Sequence, residues 1–173
     1  METALVLRVP EAEGLVSTWR LKYDPSAVHG MPAHITVLFP FRPLDSIDEA
    51  CVARLGSIFA ASGPLRLTLS HTARFPGALW LAPEPAEPIA RLTNTLAAAF
   101  PDCPPYGGAF PDPIPHLTVA IGEEPLLEGI ASQLAGALAA PIRSHVTECT
   151  LFARQPEGWR EARRFPLSGA SQA

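Results

Sequence analysis

A tetrapeptide that occurs twice constrains the fold of this chain more than any other feature. The two copies, 34–37 (His-Ile-Thr-Val) and 116–119 (His-Leu-Thr-Val), begin at histidines that lie 82 positions apart (116 − 34 = 82). A proline precedes each copy by one or two residues, Pro32 in the first and Pro115 in the second. Polar and apolar residues alternate in both copies, which is typical of a strand with one buried face. The repeat therefore predicts two equivalent strands, one in each half of the chain.

The 20 prolines and 12 glycines divide the rest of the chain into short elements. The helix over 46–61 has the clearest start, because Ser46 can cap it and Glu49 follows three residues later as in a capping box. The predicted strands are 4–9, 33–39, 65–69, 79–82, 115–121, 144–154 and 159–167, and the predicted helices are 11–23, 46–61, 86–100 and 125–140.

The same offset of 82 also aligns elements beyond the tetrapeptide. It places most of the helix 46–61 on 128–142 and the strand 65–69 on 147–151, with Thr68 on Thr150. Each half then contains a motif strand, a helix and two further strands. We therefore predict an α+β fold in which residues 1–173 form a single domain of two pseudo-symmetric lobes. Its two antiparallel sheets would face a central cleft, with the helices outside.

Each motif strand presents one imidazole and one hydroxyl on the same face. Residues i and i+2 of a strand share a face and lie about 7 Å apart, so His34 and Thr36 point together, as do His116 and Thr118. Two imidazoles on opposite sides of a phosphodiester can divide the proton transfers of an in-line displacement, one as base and the other as acid. The threonine hydroxyls can donate hydrogen bonds to the non-bridging oxygens. The near symmetry of the repeat leaves open which histidine is the acid.

Both motifs resemble those of a known family. The stretch 32–41, and Phe110 followed by 115–120, are similar to the two motifs of the 2H phosphoesterase superfamily. The nearest branch is that of the 2′-5′ RNA ligase-like proteins, or RNA 2′,3′-cyclic phosphodiesterases, whose bilobed fold agrees with the repeat. The resemblance implies roles for four residues, with His34 and His116 catalytic and Thr36 and Thr118 binding the phosphate.

Composition limits the class of substrate and partner. The net charge is −4 and Lys22 is the single lysine, which argues against the wrapping of long nucleic acid and favours a small cyclic nucleotide or a short RNA end. No apolar run reaches the roughly 20 residues of a membrane span, and no basic leader opens the chain. We expect a cytoplasmic monomer without membrane contact. Its three cysteines, Cys51, Cys103 and Cys149, are odd in number and widely spaced, which favours reduced and buried thiols.

The loop before the second motif allows two interpretations. Tyr106 and Phe110 could form an aromatic lip that stacks on a substrate base, or the loop could be a glycine-rich turn with Phe110 packed inward. Phe39, Phe41 and Trp80 are interpreted as core residues by default. His29, His71 and His145 are interpreted as surface or cleft-rim residues. Three arginines just after strands could bind phosphate, although none is singled out: Arg42, Arg74 and Arg154.

The sequence predicts an enzyme without metal or cofactor. No His-x-x-x-His or Cys-x-x-Cys spacing is present to complete a zinc site around the two histidines. The leading hypothesis is hydrolysis of a 2′,3′-cyclic phosphate, or of a related cyclic or 2′-5′ phosphodiester, with RNA ligation as the reverse reaction. One alternative is a non-catalytic nucleotide or RNA-end binding module that uses the same cleft. Another is a phosphodiesterase for a metabolite such as ADP-ribose 1″,2″-cyclic phosphate.

Overall fold

Two antiparallel four-stranded sheets form the two sides of a central cleft, and the helices lie outside them. The computed structural model describes residues 2–170. Its strands are β1 Thr3–Arg8, β2 His34–Phe41, β3 Leu65–Phe75, β4 Ala78–Glu84, β5 Leu117–Ile121, β6 Ile142–Val146, β7 Glu148–Gln155 and β8 Gly158–Pro166. Its α-helices are α1 Glu13–Tyr23, α2 Pro25–Val28, α3 Glu49–Ala61, α4 Glu87–Ala99 and α5 Glu124–Ala137. The predicted α+β fold class is confirmed.

The two motif strands occupy equivalent places in the two sheets. The strand orders are β2-β1-β7-β8 and β5-β4-β3-β6, so β2 and β5 are both edge strands. The offset of 82 also relates strands in the third place of each sheet, because Thr68 lies in β3 and Thr150 lies in β7. The division of one domain into two pseudo-symmetric lobes stays a prediction.

Alternation along the motif strands sends their apolar residues into the main core. Ile35 and Val37 are 0% and 2% exposed, and Leu117 and Val119 are both 0% exposed. Burial of one such side chain contributes roughly 1.5–3 kcal/mol to stability. A register slip of one residue would lose this contribution, because it would bury the polar side chains of the motif instead. Core packing thereby fixes which face of each strand the histidines occupy.

The predicted strand 144–154 is wrong as a single element. It consists of β6, which pairs with β3 in one sheet, and β7, which pairs with β1 in the other. The chain leaves one sheet and enters the other at Thr147, whose carbonyl accepts a hydrogen bond from the Leu167 amide at 2.8 Å. Residues on both sides of Thr147 have a strand-like composition, so no local signal in the sequence separates the two strands.

Further boundaries differ from the prediction, most of all that of β3, which continues to Phe75 beyond the predicted end at residue 69. Helix α3 begins at Glu49 rather than at residue 46, since the side chain of Asp48, not of Ser46, accepts a hydrogen bond from the Cys51 amide at 2.7 Å. Strand β5 begins at Leu117, so His116 lies just before the pairing starts. The prolines upstream of His116 lack the amide that a ladder needs.

Two expectations about composition can be compared with the structure. The three cysteines are free and buried, as predicted, and burial raises the pKa of each thiol. Within residues 2–170, no helix combines the length and the apolar character required to cross a membrane.

Candidate active site

Each predicted catalytic histidine is held by the carbonyl group two residues before it. The Nδ1 atom of His34 lies 2.7 Å from the Pro32 carbonyl oxygen, and Nδ1 of His116 lies 2.7 Å from that of Ile114. Because a carbonyl oxygen can only accept, Nδ1 carries a proton in both rings. Nε2 is then the atom that can take up or release a proton.

The two threonines accompany the histidines as strand alternation predicts. Thr36 and Thr118 are half-buried, and each faces a residue of the neighbouring inner strand. Thr36 pairs with Val6 on β1, and Thr118 pairs with Trp80 on β4. Since directly paired residues of an antiparallel ladder share a face, Val6 and Trp80 form the floor beside the two hydroxyls.

Tyr106 connects the two motifs across the cleft. Its side chain lies beside Thr36 of the first motif, and both residues line one small pocket. Its ring stacks on His116 of the second motif, with centroids 6.4 Å apart and an angle of 23° between the planes. Burial raises the pKa of Tyr106, and the neighbouring Thr36 side chain partly offsets that rise. One side chain thus contacts a residue of each motif.

The loop around Tyr106 has an unusual backbone. Tyr106 has a φ of 51°, and Gly107 and Gly108 follow with φ of 65° and 80°. Non-glycine residues adopt this left-handed region at a cost of roughly 1–3 kcal/mol, and such residues cluster at functional sites. Phe110 is 60% exposed and contacts Tyr106 edge-on at 5.8 Å, so it does not pack inward.

A pocket of about 480 Å³ opens beside His116. Its volume suits a ligand the size of a nucleoside. The lining is mostly aromatic and apolar, and consists of Phe75, Pro76, Tyr106, Phe110, Asp112, Pro113, Ile114 and His116. The structure therefore brings Tyr106 and Phe110 together with His116.

Two further aromatic rings contact His116. Phe75 lies edge-on at 5.0 Å and Trp80 at 5.9 Å, and these two rings stack on each other at 4.8 Å. Trp80 is buried, as its default interpretation predicts, yet its ring also contacts His116. Within the described part of the chain, its indole Nε1 has no hydrogen-bond partner. Phe75 lies on β3 and Trp80 on β4, whereas His116 precedes β5, so spacing along the sequence does not predict these contacts.

Both histidines have lowered pKa values. Burial is the main cause of the fall in the pKa of His34 from 6.5 to about 4, and the positive charge of Arg20 adds to it. The Pro32 carbonyl and Asp24 act in the opposite direction, and His116 lowers the pKa further. Burial also lowers the pKa of His116, while the Ile114 carbonyl opposes that change. Residues of β2 and β5 contact each other, so the two motifs lie side by side.

The other arginines and histidines considered from the sequence have partners or surroundings of their own. Arg42 and Arg74 form ion pairs with Asp102 and Glu124, and Arg154 lies over the ring of Trp159. His29, His71 and His145 are exposed. Sequence reasoning misses the buried Arg20 and Asp24 near His34. Their i,i+4 spacing is a signal, but the same spacing is common on exposed helix faces.

Comparisons with known proteins agree with this fold. The protein TT0787 of Thermus thermophilus is similar with a TM-score of 0.63 and 22% identity, over 99% of this chain and 100% of that chain. LigT of E. coli, in a crystal structure with 3′-AMP, gives 0.58 and 19% over 96% and 98%. LigT with NADP+ gives 0.56 and 19% over 96% and 97%. At these identities the likeness shows the fold alone, and no curated relative matches the chain.

A match to a family model carries the assignment further. The model of the 2'-5' RNA ligase superfamily matches residues 8–158, which is most of the chain and includes both His-x-Thr motifs. The chain therefore belongs to the 2'-5' RNA ligase superfamily.

Proposed function

We propose that this protein is a metal-independent phosphoesterase that hydrolyses a 2′,3′-cyclic phosphate or a related cyclic or 2′-5′ phosphodiester. One observation carries the proposal. Two histidines with the same carbonyl contact on Nδ1 lie at one cleft, and Tyr106 connects the second histidine to the threonine of the first motif. Equivalent imidazoles on two sides of one space suit in-line displacement at phosphorus.

The reaction proceeds by two proton transfers. A water molecule attacks phosphorus while the Nε2 atom of one histidine takes its proton. The bond from phosphorus to a ribose oxygen breaks, and the other histidine donates a proton to that oxygen. Thr36 and Thr118 donate hydrogen bonds to the non-bridging oxygens, where negative charge accumulates. The product is a phosphomonoester. RNA ligation would need the 5′-hydroxyl of a second RNA end to attack the cyclic phosphate in place of water.

The proposed substrate is a small cyclic nucleotide or a short RNA end. The pocket beside His116 offers Tyr106 and Phe110 as surfaces on which a base can stack. LigT of E. coli, which has a similar fold, has been crystallised with 3′-AMP, ATP and NADP+. All three ligands contain an adenine nucleotide, which is consistent with this substrate class. A cytoplasmic monomer remains our expectation.

The test is a panel of nucleoside 2′,3′-cyclic phosphates, 2′-5′ dinucleotides and ADP-ribose 1″,2″-cyclic phosphate, assayed with EDTA present. We expect turnover by the wild type and a loss on the order of 10²–10⁴ in kcat for His34→Ala and His116→Ala. His71→Ala is the matched control, because His71 is exposed and lies outside both motifs. Full activity in either motif variant overturns the proposal. Binding without turnover would instead support the non-catalytic module.

A further inference from the structure

The segments that lead into the two motifs are built alike. In each segment the carbonyl two residues before the histidine contacts its Nδ1 at 2.7 Å, so Pro32 and Ile114 hold equivalent places. Met31 and Pro113 stand directly before them. The segments nevertheless lie differently against the sheet β2-β1-β7-β8 (the first sheet) and the sheet β5-β4-β3-β6 (the second sheet).

The strand registers identify matching aromatic rings on the two sheets. The ladder from the motif threonine across the next two strands ends at Thr150 in the first sheet and at Ala73 in the second. Phe152 and Phe75 lie two residues beyond these ends, on the same faces as the motif threonines. Their surroundings differ, because Phe75 is half-buried whereas Phe152 is only 5% exposed.

On the second sheet, an open pocket separates the matching ring from the segment before the motif. Phe75 lines this pocket of about 480 Å³ from the sheet, and Pro113 and Ile114 line it from the segment. Tyr106 and Phe110 contribute two further aromatic surfaces. The pocket has the size and the stacking surfaces that a nucleoside needs.

On the first sheet, the protein itself fills the matching space. Met31, Phe152 and Trp159 pack in one apolar cluster, and none of the three is more than 6% exposed. The His29 carbonyl accepts a hydrogen bond from the Trp159 amide at 2.6 Å, which holds the segment against the start of β8. Gly158 permits this close approach, because a Cβ there would lie 2.3 Å from the same carbonyl oxygen. The space is therefore closed by backbone as well as by side chains.

The space between Thr36 and the loop before the second motif is also small. A pocket of about 10 Å³ lies there, with Thr36 and Tyr106 in its lining. This volume is comparable to the roughly 10–15 Å³ needed for one water molecule. Within residues 2–170, the packing thus leaves room for a nucleoside beside the second motif but fills the matching place beside the first.

We infer that the cleft has one nucleoside subsite, beside His116, and selects a terminal 2′,3′-cyclic phosphate over a 2′-5′ phosphodiester. The selection narrows the proposed function, on which it rests. Both ester oxygens of a cyclic phosphate belong to one ribose, so one subsite places the phosphorus between the motifs. A 2′-5′ phosphodiester joins two nucleosides, and the place for the second is occupied by Met31, Phe152 and Trp159. Ligation needs a second RNA end and is disfavoured for the same reason.

The first test measures binding without turnover, by calorimetry on His34→Ala. The ligands are inorganic phosphate, adenosine 2′-monophosphate, the methyl ester of that phosphate, and the 2′-5′ dinucleotide of adenosine. Adenosine 2′-monophosphate should bind at least roughly fivefold more tightly than phosphate, because one stacked base contributes about that factor or more. The dinucleotide should bind less than about fivefold more tightly than the methyl ester. A gain of fivefold or more from the second adenosine, or none from the first, overturns the inference.

A matched pair of variants locates the subsite. Phe110→Ala should weaken the binding of adenosine 2′-monophosphate and of the dinucleotide by the same factor, at least roughly fivefold. Val28→Ala is the control, because Val28 lies 82 positions before Phe110 and is exposed to a similar extent, 59% against 60%. It should change neither affinity. Weaker binding of the dinucleotide alone in Val28→Ala would place a second nucleoside on the first sheet and overturn the inference.

Turnover by the wild type separates this inference from the proposed function. A wild type that hydrolyses no cyclic phosphate refutes the proposed function, whereas the calorimetric comparison of methyl ester and dinucleotide still reports the number of subsites. A wild type that hydrolyses cyclic phosphates, combined with a fivefold or greater gain from the second adenosine, leaves the function standing and overturns the single subsite.

Discussion

Acidification should destabilise this protein through His34, and a substitution of that residue should remove the effect. The pKa of His34 falls from 6.5 to about 4 in the folded chain, chiefly because the half-buried ring is desolvated. The folded state therefore binds this proton less readily than the unfolded state. The resulting stability is fully present above pH 6.5, declines as the pH falls toward 4, and is lost below that.

The size of the effect follows from that difference in pKa. Each pKa unit corresponds to about 1.36 kcal/mol, so a shift of about 2.5 (6.5 − 4) gives about 3 kcal/mol once both states are protonated. Roughly 2.5 kcal/mol of this should be lost at about pH 4.5. That is a large fraction of the 5–15 kcal/mol that typically separates the folded and unfolded states of a domain.

Urea unfolding of the wild type and His34→Gln, at about pH 7.5 and about pH 4.5, measures this loss. The wild type should lose roughly 2.5 kcal/mol more than the variant on acidification. Losses from titratable groups that do not act on His34 occur in both proteins and cancel in the comparison. His71→Gln, at an exposed histidine, should behave like the wild type. Equal losses in the wild type and His34→Gln would refute the link between burial and the protonation of His34.

Other substitutions test three local contacts of the fold and one residue of the site. Asp48→Ala should lower the free energy of unfolding by about 1 kcal/mol in urea unfolding, because Asp48 caps α3, and an unchanged value contradicts the cap. Phe59→Ala should cost about 3–5 kcal/mol, since this fully buried ring stacks on Phe165; a loss below about 1 kcal/mol would argue against that packing. Gly158→Ala should lower the melting temperature, because at φ of 121° a Cβ would collide with the His29 carbonyl. An unchanged melting temperature would contradict this close approach of Gly158 to His29. Tyr106→Ala should raise KM for a cyclic nucleotide at least roughly tenfold, and an unchanged KM removes Tyr106 from the substrate pocket.

Much of the fold could be predicted because its signals are local. Apolar alternation and the breaks at proline and glycine locate most helices and strands within a few residues. The offset of 82 correctly relates β3 to β7 by their place in the sheets. The misread strand 144–154 shows where local signals stop, since a chain that moves from one sheet to another need not change its composition at the crossing.

Sequence alone determined what each motif strand presents. Alternation places His34 with Thr36 on one face and Ile35 with Val37 on the other, and burial of the apolar pair holds this choice. The second motif repeats the pattern, with His116 just before its strand. These are properties of neighbours in the chain, and strand geometry is sufficient to derive them.

Only the tertiary structure decided how the two motifs differ. The ring of Tyr106 on His116, its side chain beside Thr36 and the buried Arg20 near His34 all depend on contacts between elements distant in sequence. Such contacts are set by packing across the whole core, and burial then determines how strongly a charge such as that of Arg20 acts on its neighbour. The sequence presents two nearly identical motifs, whereas the folded chain gives their histidines unequal surroundings.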